Sequence, residues 1–277
     1  MKLAILLWIY KEPELCANRA CVLRKLNPDI PIYVLFGGNL ADSAEYEDLL
    51  RPWVDDFYAF PEPWTAQRKW LHGDQLIAAW HCERGRGFSW DTLFIAQWDL
   101  LLLRPLPQLC GTLRPDQLIL PGLRPVREVA DFWWWVRPGS TEGDDYARFS
   151  RSLGANFPSE PLCCNFVAGA LPRRFLELYA ALAAPDLGFL EYKMSIWAQV
   201  WGFGFCRDHA FQLAWETEKG RIRGLRRFDV MHAGKAPVSR ALVALNSALP
   251  WGRRAIHPFH ELWSPRLTPS VARRRSA

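Results

Sequence analysis

Short apolar runs alternate with amphipathic stretches along the first third of the chain. Four runs rich in strand-forming residues are predicted as strands, at residues 3–10, 32–36, 56–60 and 92–96. Three stretches between them are predicted as helices, at residues 13–26, 44–50 and 67–82. Strands that alternate with helices are typical of a parallel sheet covered by helices. The pattern therefore predicts an α/β fold, with a mostly parallel central sheet flanked by helices in a single compact domain.

The pattern becomes irregular between residues 104 and 161, where Pro and Gly are frequent and three tryptophans stand in a row. This composition predicts a loop-rich insertion. Regular signals then return as a predicted strand at 163–168, helices at 172–184 and 189–201, and a short strand at 203–206. Within one domain, 1–277, we expect three parts: a first half at 1–103, a second half at 104–240, and a C-terminal tail at 241–277 that returns to the functional site.

Asp99 follows the run Thr92 to Ala96, which is the best candidate for the central buried strand. Ligands of open α/β sheets bind outside the carboxyl ends of the strands. A carboxylate at the tip of a buried strand is unfavourable unless it binds a cation or hydrogen-bond donors. Asp99 is therefore the first candidate for a functional residue. The alternative is that its side chain only caps the turn that follows it.

The amino-acid composition and net charge limit the classes of protein to which this chain can belong. About half of the 277 residues are apolar, which is enough for a large core, and the net charge of +5 comes with several Arg pairs that suit an anionic ligand. No zinc finger or other nucleic-acid motif occurs, so we expect no nucleic-acid partner. Seven cysteines without a C-x-x-C pair predict reduced thiols in a cytoplasmic protein. The apolar start is too short for a signal peptide, and no later run is long enough to span a bilayer.

Other enzyme motifs are absent from the sequence. There is no G-x-x-x-x-G-K-[ST] phosphate loop and no G-x-G-x-x-G after the first strand, so P-loop and dinucleotide-binding enzymes are disfavoured. The G-x-S-x-G turn of α/β-hydrolases is missing too.

Several segments, taken in order, resemble the GT-A fold of nucleotide-sugar glycosyltransferases. They are the first strand ending in Tyr10, the helix with Asp74, the stretch Phe94 to Asp99, the stretch Asn165 to Gly169, and a late histidine. In that family a D-x-D motif ends the central strand and its last Asp holds a divalent metal, Mn²⁺ or Mg²⁺. This chain has Gln97-Trp98-Asp99 instead, and its late stretch His257-Pro258-Phe259-His260 lacks the Lys that often ends the family's version.

The resemblance implies a role for each matching residue. Residues 1–103 would bind the nucleotide, UDP or a similar diphosphate, and residues 104–240 would form the acceptor side. Asp99 would hold the metal or the diphosphate, with His257 as a metal ligand and His260 next in line. The remaining residues would contact the nucleotide-sugar: Tyr10, Asp74, Gln97, Trp98 and Asn165. Alternative interpretations stay open: Tyr10 as an edge of the core, Asp74 as a buried ion pair with Arg19 or Arg68, and Asn165 as a turn former.

Glu191 is the candidate catalytic base, because an inverting transferase needs a carboxylate beside the acceptor hydroxyl and this residue begins a predicted helix. An acid at a helix start is also ordinary capping, and Asp208 and Asp186 are the next candidates. Three consecutive tryptophans cannot all face inward, so we expect Trp133 or Trp134 to contact a sugar acceptor or a partner subunit.

The sequence therefore predicts an enzyme that moves a sugar from a nucleotide-diphosphate donor to an acceptor hydroxyl, with divalent-metal assistance. The alternative is a non-catalytic carbohydrate- or nucleotide-binding protein of the same fold. A nucleotidyltransferase is a weaker third hypothesis, because no Gly- and Lys-rich loop follows the first strand. The expected partners are the donor and a sugar or small-molecule acceptor. A homodimer is left open.

Overall fold

The computed structural model describes residues 1–216, 222–223, 230–232 and 236–264. Its strands are β1 (Leu3–Ile9), β2 (Ile32–Phe36), β3 (Asp56–Ala59), β4 (Thr92–Gln97), β5 (Leu101–Leu102), β6 (Gln117–Leu118), β7 (Arg124–Pro125), β8 (Leu162–Cys163), β9 (Ala168–Pro172), β10 (Gly204–Phe205), β11 (Trp215–Glu216), β12 (Ile222–Arg223) and β13 (Ala255–Ile256). Its α-helices are α1 (Pro13–Leu26), α2 (Ser43–Leu50), α3 (Ala66–Leu71), α4 (Gly73–Glu83), α5 (Leu106–Leu109), α6 (Thr141–Leu153), α7 (Arg173–Tyr179), α8 (Leu190–Val200) and α9 (Arg240–Ala248).

The central sheet has five strands in the order β3-β2-β1-β4-β9. The pairs β3–β2, β2–β1 and β1–β4 are parallel, and β9 runs antiparallel to β4. Strands that are buried on both faces read as nearly continuous apolar runs, which is why β1, β2 and β4 were visible in the sequence. The predicted α/β fold with a mostly parallel central sheet is confirmed. The strand order reverses between β1 and β4, and such a switch point opens a crevice at the carboxyl ends of the strands.

The two faces of β1 belong to two different core layers. Ile5 and Leu7 face the layer formed with α1 and α2, whereas Leu6 and Trp8 face the layer formed with α4, α7 and α8. Alternate side chains of a strand point to opposite faces, so one strand supports both layers. The helices thus cover the sheet on both sides.

The second half is more regular than the sequence predicted. Helix α6 occupies part of the expected loop-rich insertion, since the Ser140 hydroxyl caps it by accepting from Gly143 N and two acids stand in its first turn. The expected strand at 163–168 is instead split between β8 and β9. The expected helix at 67–82 is divided into α3 and α4 at His72, and α9 lies in the expected tail.

Among the described residues, no helix combines the length and the apolar character that a membrane crossing requires. All seven cysteines carry free thiols, and five of them are buried.

Candidate functional site

A cavity of about 890 Å³ opens at the carboxyl ends of β1, β2 and β3. Its wall comes from the loops that follow these strands and from the start of α3, and its aromatic side chains are Trp8, Tyr10, Trp64 and Trp70. Pockets for small molecules and cofactors commonly have volumes of about 300–1,000 Å³. The cavity is therefore large enough for a nucleotide, and its aromatic wall suits a planar base.

Close backbone approach shapes this cavity. A Cβ atom at Gly73 would lie 2.0 Å from the Trp8 ring, and one at Gly38 would lie 2.4 Å from the Phe36 ring. Glycine at these two positions lets α4 and the β2 loop come against the end of β1. The Gly38 carbonyl accepts a hydrogen bond of 2.6 Å from Lys69 Nζ, which ties α3 to the same loop.

Asp99 lies beside the cavity, in the turn after β4. The wall formed by the described residues does not include it, but Tyr10 does line the wall and is electrostatically coupled to Asp99. Burial raises the pKa of Tyr10 to about 12, so its phenol is neutral at physiological pH. The Tyr10 and Trp98 rings are 6.0 Å apart, edge to face. Tyr10 and Trp98 therefore connect Asp99 to the cavity, although Trp98 itself is only 2% exposed.

Two histidines flank the Asp99 carboxylate. His257 Nε2 is 3.5 Å from Oδ1, and His260 Nε2 is 3.6 Å from Oδ2. Burial by itself raises the pKa of Asp99, but the charge of His257 and the close contacts with both histidines outweigh it and hold that pKa well below its ordinary value. Asp99 is therefore ionised at neutral pH.

A C-terminal strap, residues 255–264, carries the two histidines to Asp99. Its first residues form β13, which pairs antiparallel with β5. Phe259 N then donates a 2.9 Å hydrogen bond to the Asp99 carbonyl. The strap thus runs back along the segment that contains Asp99, and this contact places a late histidine at the end of β4.

Helix α1 holds the strap from the other side. The buried Arg19 donates from Nη2 to the carbonyls of Phe259 at 2.7 Å and Glu261 at 3.1 Å. The Asn18 side chain exchanges two hydrogen bonds of 2.9 Å with the backbone of Trp263. Burial lowers the pKa of Arg19 to about 10, and the nearby Asp99 opposes that shift, so the guanidinium stays charged. From the sequence, Arg19 was predicted only as an alternative ion-pair partner of Asp74.

A divalent cation fits beside Asp99 in part. Asp99 Oδ1 is buried and has no hydrogen-bond partner. His257 Nδ1 lies 2.8 Å from the His232 carbonyl oxygen. Nδ1 therefore carries a proton, and an unprotonated Nε2 would present a lone pair to the carboxylate. Two such groups repel unless a proton or a cation lies between them. Across residues 1–216, 222–223, 230–232 and 236–264, no three His, Cys, Asp or Glu side chains are arranged to hold a metal by themselves. A bound phosphate would have to supply the remaining ligands, as is common for Mg²⁺.

The side chains of Gln97 and Glu191 both form hydrogen bonds with the backbone of Phe166. Gln97 Nε2 donates to the Phe166 carbonyl at 2.5 Å, and Phe166 N donates to Glu191 Oε1 at 2.7 Å. A single residue therefore joins the end of β4 to the first turn of α8. This link places Glu191 close to the Asp99 region, although the two residues are distant in the sequence.

Glu191 has an environment that favours its neutral form. Its side chain reaches solvent only in part. Burial raises the pKa of Glu191 to about 8, and the hydrogen bond from Phe166 N opposes the rise. A carboxyl group with a pKa near the operating pH can both accept and return a proton. The chemical property required of a general base is thus present at this position.

Asn165 lies next to these residues. It is 8% exposed, and its Nδ2 atom has no hydrogen-bond partner among the described residues. The backbone N–H of Asn165 donates to the Pro121 carbonyl at 3.0 Å. The side-chain amide therefore has donors that no described residue uses.

Asp74 occupies a structural position. It is fully buried, its Oδ2 is 2.5 Å from Lys193 Nζ, and the same oxygen accepts a 2.6 Å hydrogen bond from the Tyr179 hydroxyl. The ion pair foreseen as the alternative is present, but its partner is Lys193 rather than Arg19 or Arg68. Through these contacts Asp74 joins α4 to α7 and α8.

The three consecutive tryptophans have three different environments. Trp133 is 8% exposed and packs in the core against Trp215, so it offers no face to an acceptor, in contrast to the expectation for that residue. Trp134 is 52% exposed. Trp135 stacks on Phe189 with 4.0 Å between ring centroids, and Trp70, which lines the cavity, is 5.9 Å from Trp135. An aromatic shelf of Trp70, Trp135 and Phe189 therefore leads from the cavity to the start of α8.

The other candidate bases lie elsewhere. Asp186 is exposed in the loop before α8, where Gln75 Nε2 donates to it at 2.8 Å. Asp208 is also exposed, and its carbonyl approaches Gly111. Trp70, Lys69 and Lys11 line the cavity without having been predicted from the sequence. The position of Trp70 in the same predicted helix as Asp74 was a signal that could have identified it.

No protein-family model matches the sequence, and no curated protein sequence does either. Solved structures do match its fold. The apo bifunctional glycosyltransferase WbbM is 11% identical with a TM-score of 0.43, over 93% of this chain. The chain spans only 46% of WbbM. The galactosyltransferase LgtC with donor and acceptor sugar analogues is 14% identical with a TM-score of 0.41, over 74% of this chain and 72% of LgtC. The Mycobacterium tuberculosis glucosyl-3-phosphoglycerate synthase with Mn²⁺ and UDP is 16% identical with a TM-score of 0.35, over 63% and 57%. All three matches have TM-scores below 0.5 and identities below 25%.

Proposed function

We propose that this chain is a glycosyltransferase that moves a sugar from a nucleotide-diphosphate donor to an acceptor hydroxyl. One observation carries the proposal: the buried Asp99 carboxylate stands at the switch point of the sheet beside a nucleotide-sized cavity, and its Oδ1 accepts no hydrogen bond among the described residues although His257 Nε2 is 3.5 Å away. Buried charges are retained where they bind a partner. The free thiols are in keeping with a cytoplasmic location, which is part of the proposal.

The donor would occupy the cavity with its base against the aromatic wall near Tyr10 and Trp64. The diphosphate would then lie toward Asp99, with the Asn165 amide available to the donor sugar. A divalent cation held by Asp99 and His257 would supply Lewis-acid stabilisation of the departing diphosphate. Gln97 would hold the Phe166 carbonyl and thereby the segment between the two carboxylates.

Glu191 would act as the base of an inverting transfer. Its carboxylate accepts the proton of the acceptor hydroxyl, the acceptor oxygen bonds to the anomeric carbon, and the bond from that carbon to the diphosphate oxygen breaks. The acceptor would approach along the shelf of Trp70, Trp135 and Phe189, with the exposed Trp134 at its outer end. Flat apolar faces of this kind suit the C–H surface of a sugar ring.

The test measures donor hydrolysis, because water can replace an unidentified acceptor. UDP-, GDP- and ADP-linked sugars are incubated with Mn²⁺, and release of the nucleoside diphosphate is recorded. Asp99→Asn removes the charge with little change in size, and Asp48→Asn on the exposed side of α2 is the matched control. We expect the wild type and the control to hydrolyse one class of donor, and Asp99→Asn to be slower by roughly a hundredfold.

Undiminished hydrolysis by a folded Asp99→Asn protein would overturn the site assignment. Binding of free sugars without any effect of a nucleotide would instead favour the alternative, a non-catalytic carbohydrate-binding protein.

A further inference from the structure

Lys11 lies two residues after the end of β1 and lines the cavity. Its side chain is exposed, and Nζ lies 4.4 Å from the centroid of the Trp98 ring and 6.0 Å from that of Tyr10. A cation over an aromatic face is held in place while it keeps its charge. The ammonium therefore stands at the point where the cavity meets the Asp99 region.

The ammonium of Lys11 has no anionic partner among the described residues. No ion pair within 4.0 Å and no hydrogen bond of Nζ are present there. Lys69, the other lysine of the cavity wall, is 7% exposed, and its Nζ bonds to the Gly38 carbonyl. Of these two lysines, Lys11 is the one whose donors are available to a ligand.

The backbone next to Lys11 adopts an unfavourable conformation. Glu12 has φ of 59°, the left-handed region, although it is not glycine. Such a conformation is unfavourable for a residue that carries a side chain, and it occurs often at functional sites. The Lys11 carbonyl accepts from Cys16 Sγ at 3.0 Å, which helps to hold the turn against the first turn of α1.

The carboxylates in and beside the cavity create a need for positive charge if an anion is to bind there. Asp42 and Glu62 line the same cavity, and the ionised Asp99 lies beside it. These carboxylates repel a diphosphate, so a diphosphate can bind there only if positive charge offsets them. The stretch that ends in Asp99 has Gln97 where a D-x-D motif has its first Asp. The site therefore has one carboxylate fewer to hold a cation.

We propose that Lys11 binds the diphosphate of the donor directly, so that part of the positive charge at this site belongs to the protein. The inference rests on the proposed function, since it assigns the diphosphate of that donor to a particular residue. It predicts that a nucleoside diphosphate binds measurably even when divalent cations are removed, and that this binding depends on Lys11.

Calorimetry tests the inference with uridine, UMP and UDP, and in parallel with the guanosine and adenosine series, first in EDTA and then in Mn²⁺. The variants are Lys11→Met, which removes the charge, and Lys11→Arg, which keeps it. Lys25→Met is the matched control, because Lys25 is also exposed and its Nζ is 6.0 Å from the Trp53 ring centroid, but it lies outside the cavity wall.

In EDTA we expect Lys11→Met to weaken diphosphate binding about tenfold, as the loss of a charge-assisted hydrogen bond does, and to leave nucleoside binding unchanged. Lys11→Arg and Lys25→Met should bind the diphosphate within about threefold of the wild type. If diphosphates bind equally well to wild type and Lys11→Met, the inference is overturned and the proposed function stands. If no nucleoside diphosphate binds to the wild type under either condition, the proposed function fails and the inference with it.

Discussion

The raised pKa of Glu191 has a consequence for stability that can be measured without knowing any substrate. In the folded protein its pKa is about 8, against an ordinary value of 4.5. Between these two values the folded chain keeps a proton that the unfolded chain releases, so the free energy of unfolding falls as the pH rises. Stability from this group is fully present below pH 4.5 and is lost as the pH passes through 8.

Glu191→Gln removes this dependence. Glutamine resembles the protonated acid in shape, and its Oε1 can still accept the hydrogen bond from Phe166 N. One proton corresponds to about 1.4 kcal/mol per pH unit. Relative to the wild type, the variant should therefore become more stable by on the order of 3 kcal/mol between pH 5 and pH 8.

Urea unfolding of both proteins at pH 5, 6, 7, 8 and 9 measures the difference. Glu177→Gln, an exposed carboxylate on α7, is the control and should show a nearly constant difference from the wild type. A difference between Glu191→Gln and the wild type that does not change with pH would refute the reasoning, because Glu191 would then be ionised in the folded protein. In the hydrolysis assay, a base of this kind predicts a rate that rises with pH up to about 8 and then levels off.

The other predictions concern the strap and the turn before α1. Arg19→Met leaves two strap carbonyls without their buried donor and should lower the free energy of unfolding by about 2 kcal/mol. The control Arg51→Met, on the surface, should change that free energy little. Equal stability of the two variants in urea would contradict the role given to Arg19. Glu12→Gly relieves the left-handed backbone and should raise stability by about 1 kcal/mol. Glu14→Gly, within the first turn of α1, should lower it by a similar amount, and a melting temperature that falls in both variants would show that Glu12 is unstrained.

Local pattern was sufficient to predict the parallel sheet. Strands β1, β2 and β4 are buried on both faces, so each is a short apolar run in the sequence. The helices between them were recognisable from their amphipathic pattern or from residues typical of helix ends. The same pattern placed Asp99 at the carboxyl end of β4. These features depend on neighbours in the sequence, and for that reason the sequence alone determined them.

Helix caps and strand pairs in the second half of the chain were harder to predict from the sequence. The sequence indicated loops where Ser140 caps α6, because Pro, Gly and acidic residues are frequent in turns as well as in the first turns of helices. Strands of two residues, such as β6 and β10, carry too little periodicity to be recognised.

The contacts between polar residues depend on the tertiary fold. It brought His257 and His260 to Asp99 through the pairing of the strap with β5, and it buried Asp74 against Lys193. It also set Lys11 over Trp98. Such contacts join residues that are far apart in the chain or that share no periodic pattern, and they form because the packing of both core layers leaves one arrangement in which the buried charges find partners. Local sequence pattern thus specifies the strands and the carboxylate at the end of one of them, and the packing of the whole chain specifies the groups that surround that carboxylate.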